Sequence, residues 1–250
     1  MIKKIISGGQ TGAEQAALDV AIELNIPHGG WIPKGRKTEN GRLPDKYHLK
    51  EISSINYPQR TELNILDSDG TLVISYGDLT GEPALAQGLA KKHRRPCLHI
   101  DLNEMEPAQA AAVVCSWIDT REIEVLNVDG SRASKDSKMY EATRTLLKVV
   151  INRYLPQTVG DAVDRLISDI PMKDMSALAN LQEKDLSLLH SSVGVYIRRQ
   201  FGLMSGNRAL MESCGSISGH DELSGHQASD VIIHELWKRL QKTHALRVVR

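Results

Sequence analysis

The sequence predicts an α/β protein, a parallel sheet with helices on both faces followed by a small all-α domain. Three observations carry this. Short β-branched runs alternate with helical patterns up to about residue 155. The helical stretches between runs are long enough for βαβ crossovers, which make strands parallel. After PQTVGD (156–161) helical periodicity continues while no strand pattern recurs. The expected domains are 1–155 and 160–250.

The elements follow in order. Lys3 to Ser7 reads as a strand. Ala13 to Leu24 reads as a helix, with small or apolar residues at 13, 16, 17, 20, 21 and 24 forming one buried face. IPHGGWIP suggests a second, glycine-interrupted strand, and Pro58 to Leu66 a helix. TLVISY (71–76) is a third strand. Pro83 opens a helix that ends in KKHRR, where cations suit the dipole. CLHI (97–100), a helix from Pro107 to Asp119, IEVLNV (123–128) and a helix from Lys138 to Tyr154 complete the series. In the second domain DAVDRLISDI, LQEKDLSLLHSSVGVYIRRQF and SDVIIHELWKRLQKTHAL have helical period, and CGSISGHDELSGHQAS (214–229) reads as a loop.

Composition narrows the class. The chain is 41% hydrophobic and 25% charged with zero formal net charge, which argues against bulk nucleic-acid or membrane-surface binding. Phe201 is the one phenylalanine, so the core is aliphatic and alanine-rich. No apolar run approaches the roughly 18 residues of a membrane span, and MIKKIISGG lacks the apolar region of a secretory signal. Cys97, Cys115 and Cys214 are an odd number without CxxC spacing and read as thiols of a reducing cytoplasm.

Three glycine-bearing loops carry the functional signal. Ser7-Gly8-Gly9-Gln10-Thr11-Gly12 lies between a strand and a helix, where free N–H groups and the helix dipole suit an anion and glycines let it approach. Thr11 and Glu14 also have the spacing of a capping box, whose alternative role is to start the helix and nothing more. The loop is neither a P-loop nor a strict GxGxxG. Tyr76-Gly77-Asp78-Leu79-Thr80-Gly81-Glu82-Pro83 and Asn127-Val128-Asp129-Gly130-Ser131-Arg132 occupy equivalent positions. In a parallel sheet all three converge on one edge.

A basic stretch, Trp31 to Lys37 with Lys34 and Arg36, then Arg42 and Arg60, is either a solvated loop or a lid over that edge, with Arg36 a fork for phosphate. Trp31 is a stacking platform or a core residue, and His28 a crevice residue or a structural hydrogen-bonder. Asp67 and Asp69 read as a turn. Glu14 and Glu82 are the catalytic candidates should a bond be cleaved. Cys214, His220, His226 and His234 match no common zinc spacing, so no metal site is expected. No Ser-His-Asp elbow is present.

IISGGQTGAEQAALDVA, IPHGGWIPKGRKTENG, YPQRTELNILDSDGTLVIS, GDLTGEPALAQGLA and LNVDGSRAS occur in the order of the putative molybdenum carrier family, a circularly permuted branch of the bacterial SLOG (SMF/DprA–LOG) superfamily, which residues 1–150 resemble. The resemblance implies a Rossmann-like fold holding a nucleotide or molybdenum cofactor above the glycine loops. Carried over, Gly8, Gly9, Gln10, Thr11 and Gly12 hold phosphate, Lys34, Arg36 and Arg60 flank it, and Gly77, Thr80, Gly81, Gly130, Ser131 and Arg132 line the opposite side. Glu14-Gln15 departs from the usual Asp-Arg, Gly81-Glu82-Pro83 lacks a common second glycine, and Gly130-Ser131-Arg132 replaces Gly-Pro-Arg. The tail (162–245) resembles a small bacterial helical domain of unknown function.

The expectation is a cytoplasmic binding protein for a small anionic ligand, with room for a homo-oligomer and without membrane or nucleic-acid partners. The alternatives are a nucleoside 5′-monophosphate phosphoribohydrolase and a nucleotide-sensing signalling module.

Overall fold

The computed structural model describes residues 2–244. Two compact units meet in sequence between Tyr154 and Leu155. In the first, β1 (Lys4–Ile6), α1 (Ala13–Glu23), β2 (His28–Gly29), β3 (Trp31–Ile32), β4 (Lys37–Thr38), β5 (Gly41–Arg42) and β6 (Lys50–Glu51) come first. Then follow α2 (Tyr57–Leu66), β7 (Gly70–Ser75), α3 (Glu82–Lys92), β8 (Cys97–Asp101), α4 (Pro107–Thr120), β9 (Val125–Gly130) and α5 (Met139–Asn152).

The central sheet has five parallel strands in the order β2-β1-β9-β7-β8. Alternation along the strands sends neighbouring side chains to opposite faces. Leu72, Ile74, Leu126 and Val128 join the core formed with α1, α4 and α5. Val73 turns the other way, onto Ile65 of α2 and Ala86 and Ala90 of α3. Every residue of β7 is buried, the pattern of a strand covered on both sides. With one phenylalanine in the chain, close approach relies on alanines such as Ala13, Ala17 and Ala21 of α1.

The topology determines where a crevice can form. The β1–α1–β2 connection runs outward one way and β7–α3–β8 the other, with β9 between β1 and β7. The N-termini of α1 and α3 therefore diverge above the end of β9, the switch point at which open α/β sheets bind ligands.

The glycine-interrupted strand is two strands in two sheets. Gly30 has φ +131, and a Cβ there would lie 2.2 Å from the Ser7 carbonyl oxygen. The chain leaves the main sheet there, and β3 pairs with β6 in a separate two-stranded sheet. The antiparallel β4–β5 hairpin follows. Leu18 of α1 packs with Ile32, Leu43, Tyr47 and Leu49 of this insert. Asp19 fixes it further, accepting from Lys46, Tyr47 and Tyr140.

The second unit contains α6 (Val159–Asp169), α7 (Met172–Ala179), a 3-10 segment (Glu183–Ser191), α8 (Val193–Gln200), α9 (Arg208–Ser218) and α10 (Gly225–His244). Its core gathers residues of all of these, Phe201 included. Three sequence expectations are revised. The helix expected over 181–201 breaks at Ser192, between the 3-10 segment and α8. Cys214 to Ser218 is the end of α9, which stops at left-handed Gly219, and the connection is only 219–224. Helix α7 was not anticipated; an eight-residue stretch holds too few turns to display a period. The end of the last predicted helix, from 245, lies outside the described residues. Among the described residues no helix is long and apolar enough to cross a membrane.

Gly130 marks a tight junction of sheet and helix. A Cβ there would lie 2.4 Å from the Ile74 carbonyl oxygen and 2.7 Å from Ala13 Cβ. We expect Gly130→Ala to lower unfolding free energy by about 2 kcal/mol or more in urea denaturation. Gly88→Ala, at an exposed position of α3 with nothing within 4 Å, is expected to be neutral or stabilising. Equal effects would contradict this packing.

Candidate ligand-binding site at the switch point

The first glycine loop is buried from Ser7 to Gly12. No capping box forms at Thr11 and Glu14: α1 follows Gly12 (φ 80) without a side-chain cap. A reciprocal box is found instead at Thr158 and Asp161 of α6. Glu14 turns back over the loop, where Oε2 accepts the Gln10 N–H at 2.7 Å. Both of its oxygens accept from Arg60 Nη1 of α2 at 2.9 Å. The two side chains are 2% and 1% exposed. A Cβ on Gly8 would fall 1.4 Å from that Nη1, so glycine is what lets the guanidinium in. The anion at this loop is the chain's own carboxylate.

Around Arg60 stand residues from four further positions. Arg60 Nη2 is 3.7 Å from Glu82 Oε2, too far for a hydrogen bond. Glu82 is instead held by Arg132, through Nη2 at 2.6 Å and Nε at 3.2 Å. The guanidiniums of Arg60 and Arg132 lie 5.9 and 5.8 Å from the ring of Tyr57. Asp129, at the end of β9, is 3% exposed. Burial, reinforced by the Glu14 charge, pushes its carboxyl well above the usual range against the pull of Arg60. Arg60 itself is held cationic: burial opposes the charge, but the carboxylates around it, Glu14 first and Glu82 after it, outweigh that.

Four buried side-chain atoms in this group have no hydrogen-bond partner among the described residues: Arg60 Nε and Nη2, Asp129 Oδ1 and Ser131 Oγ. Such atoms are rare in folded proteins. Asp129 is the residue sequence reasoning passed over. The available signal was an acidic side chain closing a buried central strand, a position that carboxylates seldom take without cause.

The remaining predicted residues divide. Gly9 (φ +78) packs under Leu43 and Leu49 of the insert, and Gly12 against the backbone of Ser131 and Ala133. Gln10 Oε1 accepts from the N–H groups of Thr11 and Glu39. Thr11 donates its hydroxyl to Glu39, which also accepts from Ser134. Arg36 is buried, and its guanidinium donates to the carbonyls of Leu43, Pro44, Tyr47 and Leu49. It holds the insert together and has no fork left for phosphate. Lys34 is exposed on the insert, its N–H on the Ser54 carbonyl. Trp31 donates to Asp67, and His28 accepts from the His48 N–H. At the rim, Thr80 accepts from Lys135 Nζ at 2.9 Å. Gly81 (φ +63) has open space where a Cβ would lie, while Gly77 (φ +76) faces Asn103.

Residues 5–151 match the circularly permutated YpsA SLOG family. The chain belongs to that family. Residues 155–240 match a domain of unknown function, DUF6794. The crystal structure of a protein named putative molybdenum carrier protein from Syntrophus aciditrophicus SB, at 1.45 Å resolution, is 53% identical and superposes with a TM-score of 0.59. The match covers 60% of this chain and 94% of that one. No curated protein matches. In this SLOG chain the family's first glycine loop is thus closed by an internal ion pair.

The state of Asp129 has a measurable consequence. Its folded-state pKa is raised, so the folded protein binds the proton more tightly than the unfolded chain. Stability therefore falls as pH rises above the ordinary carboxyl value and is fully retained below it. We expect Asp129→Asn to raise the thermal midpoint at pH 7, with the gain shrinking towards pH 4. A variant that loses stability equally at both pH values would contradict a neutral Asp129.

Proposed function

We propose that the switch-point crevice binds a phosphorylated, ring-bearing small molecule and carries it without making or breaking a bond. The observation behind this reading is the set of four unpartnered buried atoms on Arg60, Asp129 and Ser131. Hydrogen-bonding groups without partners in a closed polar site are complementary to a ligand's polar atoms.

The phosphate belongs at the rim. Glu14 fills the first glycine loop, and a site that keeps Asp129 protonated resists another negative charge. The start of α3 differs: it has no side-chain cap, Gly81 leaves its backbone open, and exposed Lys135 stands at Thr80. Free N–H groups, the helix dipole and a cation favour an anion there. Thr80, Gly81 and Lys135 are accordingly the phosphate residues, with Gly8, Gly9, Gln10, Thr11 and Gly12 shaping the wall behind Glu14.

The Syntrophus relative is named a molybdenum carrier, and molybdenum cofactor is one such phosphorylated, ring-bearing ligand. The residues fit its pterin and phosphate but not direct metal ligation, because no group of three His, Cys, Asp or Glu among the described residues can hold a metal ion. The cofactor brings its own dithiolene to hold molybdenum. Arg60, Asp129 and Ser131 would then bind the pterin, and Thr80 and Lys135 the phosphate.

One observation favours a second reading, the phosphoribohydrolase. Asp129 is a buried neutral acid beside the carboxylate of Glu82, and a leaving base needs a proton donor. Glu14 is excluded from that role by its bonds to Arg60 and Gln10.

Mass spectrometry of small molecules released from the denatured protein, with a metal scan of the same sample, tests the binding reading. We expect a phosphorylated heterocycle, and an empty protein that also fails to bind nucleotides and pterins in titration would overturn it. Free base released from AMP, and lost in Glu82→Gln, would replace it by the hydrolase.

A further inference from the structure

Resting on that ligand-binding reading, we infer that Arg60 selects the ring: its unpartnered edge takes a carbonyl oxygen and an adjacent ring nitrogen, the acceptor pair shared by 6-oxopurines and fully oxidised 4-oxopteridines. A guanidinium presents parallel N–H groups along the edge formed by Nε and Nη2. Nη1 is committed to Glu14, while Nε and Nη2 are the atoms left without partners. The open part of this buried side chain is therefore its two-donor edge.

The protein does not satisfy that edge itself. Glu82 Oε2 stops 3.7 Å from Nη2 because Arg132 holds the Glu82 carboxylate with two hydrogen bonds. Glu82 and Arg132 are partly exposed and so stand nearer the surface than Arg60, and an entering ring takes the place Glu82 now approaches.

Charge decides between a ring and an oxyanion. Glu14, Glu82 and Asp129 surround the edge, and burial among them keeps Asp129 neutral. An ionised oxygen pair from a ligand would meet the same penalty. A neutral carbonyl and ring nitrogen would not. The same pair of acceptors on guanine is the usual partner of an arginine fork. Adenine places an amino donor where the carbonyl would be, so donor faces donor. The Tyr57 ring, 5.9 and 5.8 Å from the two guanidiniums, is a flat neighbouring group, and the Asp129 acid and Ser131 hydroxyl remain for the rest of the ring.

The experiment is calorimetric titration of the full chain with IMP, GMP, 7-deaza-GMP, AMP, 6-hydroxymethylpterin and inorganic phosphate. IMP and GMP are expected to bind at least about tenfold more tightly than AMP, and 7-deaza-GMP, without the ring nitrogen acceptor, to fall to the AMP level. Tighter binding of hydroxymethylpterin than of GMP would assign the edge to a pteridine, and the reverse to a purine. Arg60→Lys keeps a cation for Glu14 and should bring the IMP-to-AMP ratio within about twofold. If that variant does not fold, the 7-deaza comparison on the native protein decides. Equal affinity for AMP and IMP, or for GMP and its 7-deaza analogue, would overturn the selection by Arg60 while leaving ligand binding intact. Failure of every nucleotide, the pterin and phosphate to bind would overturn the binding reading and this inference together.

Discussion

The buried pair of Glu14 and Arg60 is the constraint around which the glycine-loop edge of the sheet is organised. Taking both charges out of water is costly, and their attraction offsets the cost only while the two stay together. Losing either partner strands a charge in the interior, which makes the pair hard to dissolve once formed. Its demands spread outward. Gly8 must lack a side chain to admit the guanidinium, and Glu14 must fold back on Gln10 rather than cap α1. Helix α2 must place Arg60 against the loop, and the fork that faces away from Glu14 stays open.

Much of the architecture was legible in the sequence because it depends on local pattern. Alternating β-branched runs and amphipathic stretches gave the parallel sheet, and topology alone brought the loops after β1, β7 and β9 to one edge. The roles of residues within those loops depend on contacts between distant segments, and these were not legible. A glycine that admits a phosphate and one that admits an arginine have the same local sequence. Gly8 shows the second case, and Arg60 lies 52 positions further along the chain.

Arg36 illustrates the same limit from the other side. In a stretch rich in Lys and Arg it reads as a solvated or anion-binding cation. The hydrophobic contacts of Leu43, Tyr47 and Leu49 close the insert around it and supply carbonyls for its donors. The second unit was read more coarsely, since its eight-residue helices display little more than two turns and the 3-10 segment departs from the helical period. What survives in such a unit is composition, and its core indeed draws on residues from every helix.

Three buried arginines allow a comparison that bears on the site. Arg36 donates through Nε, Nη1 and Nη2 to backbone carbonyls of its own insert. Arg198, in the second unit, donates through Nη1 to Ser229 Oγ and through Nη2 to the His190 carbonyl. Both satisfy the rule that a buried cation is hydrogen-bonded on every side that water cannot reach. Arg60 is the most completely enclosed of the three and yet leaves an entire edge unused. The same chain thus shows what a purely structural arginine looks like, twice, and Arg60 is different. Its unpartnered edge stands at the switch point, beside the buried Asp129 and near the ion pair of Glu82 and Arg132, and that coincidence is what the proposed ligand site rests on.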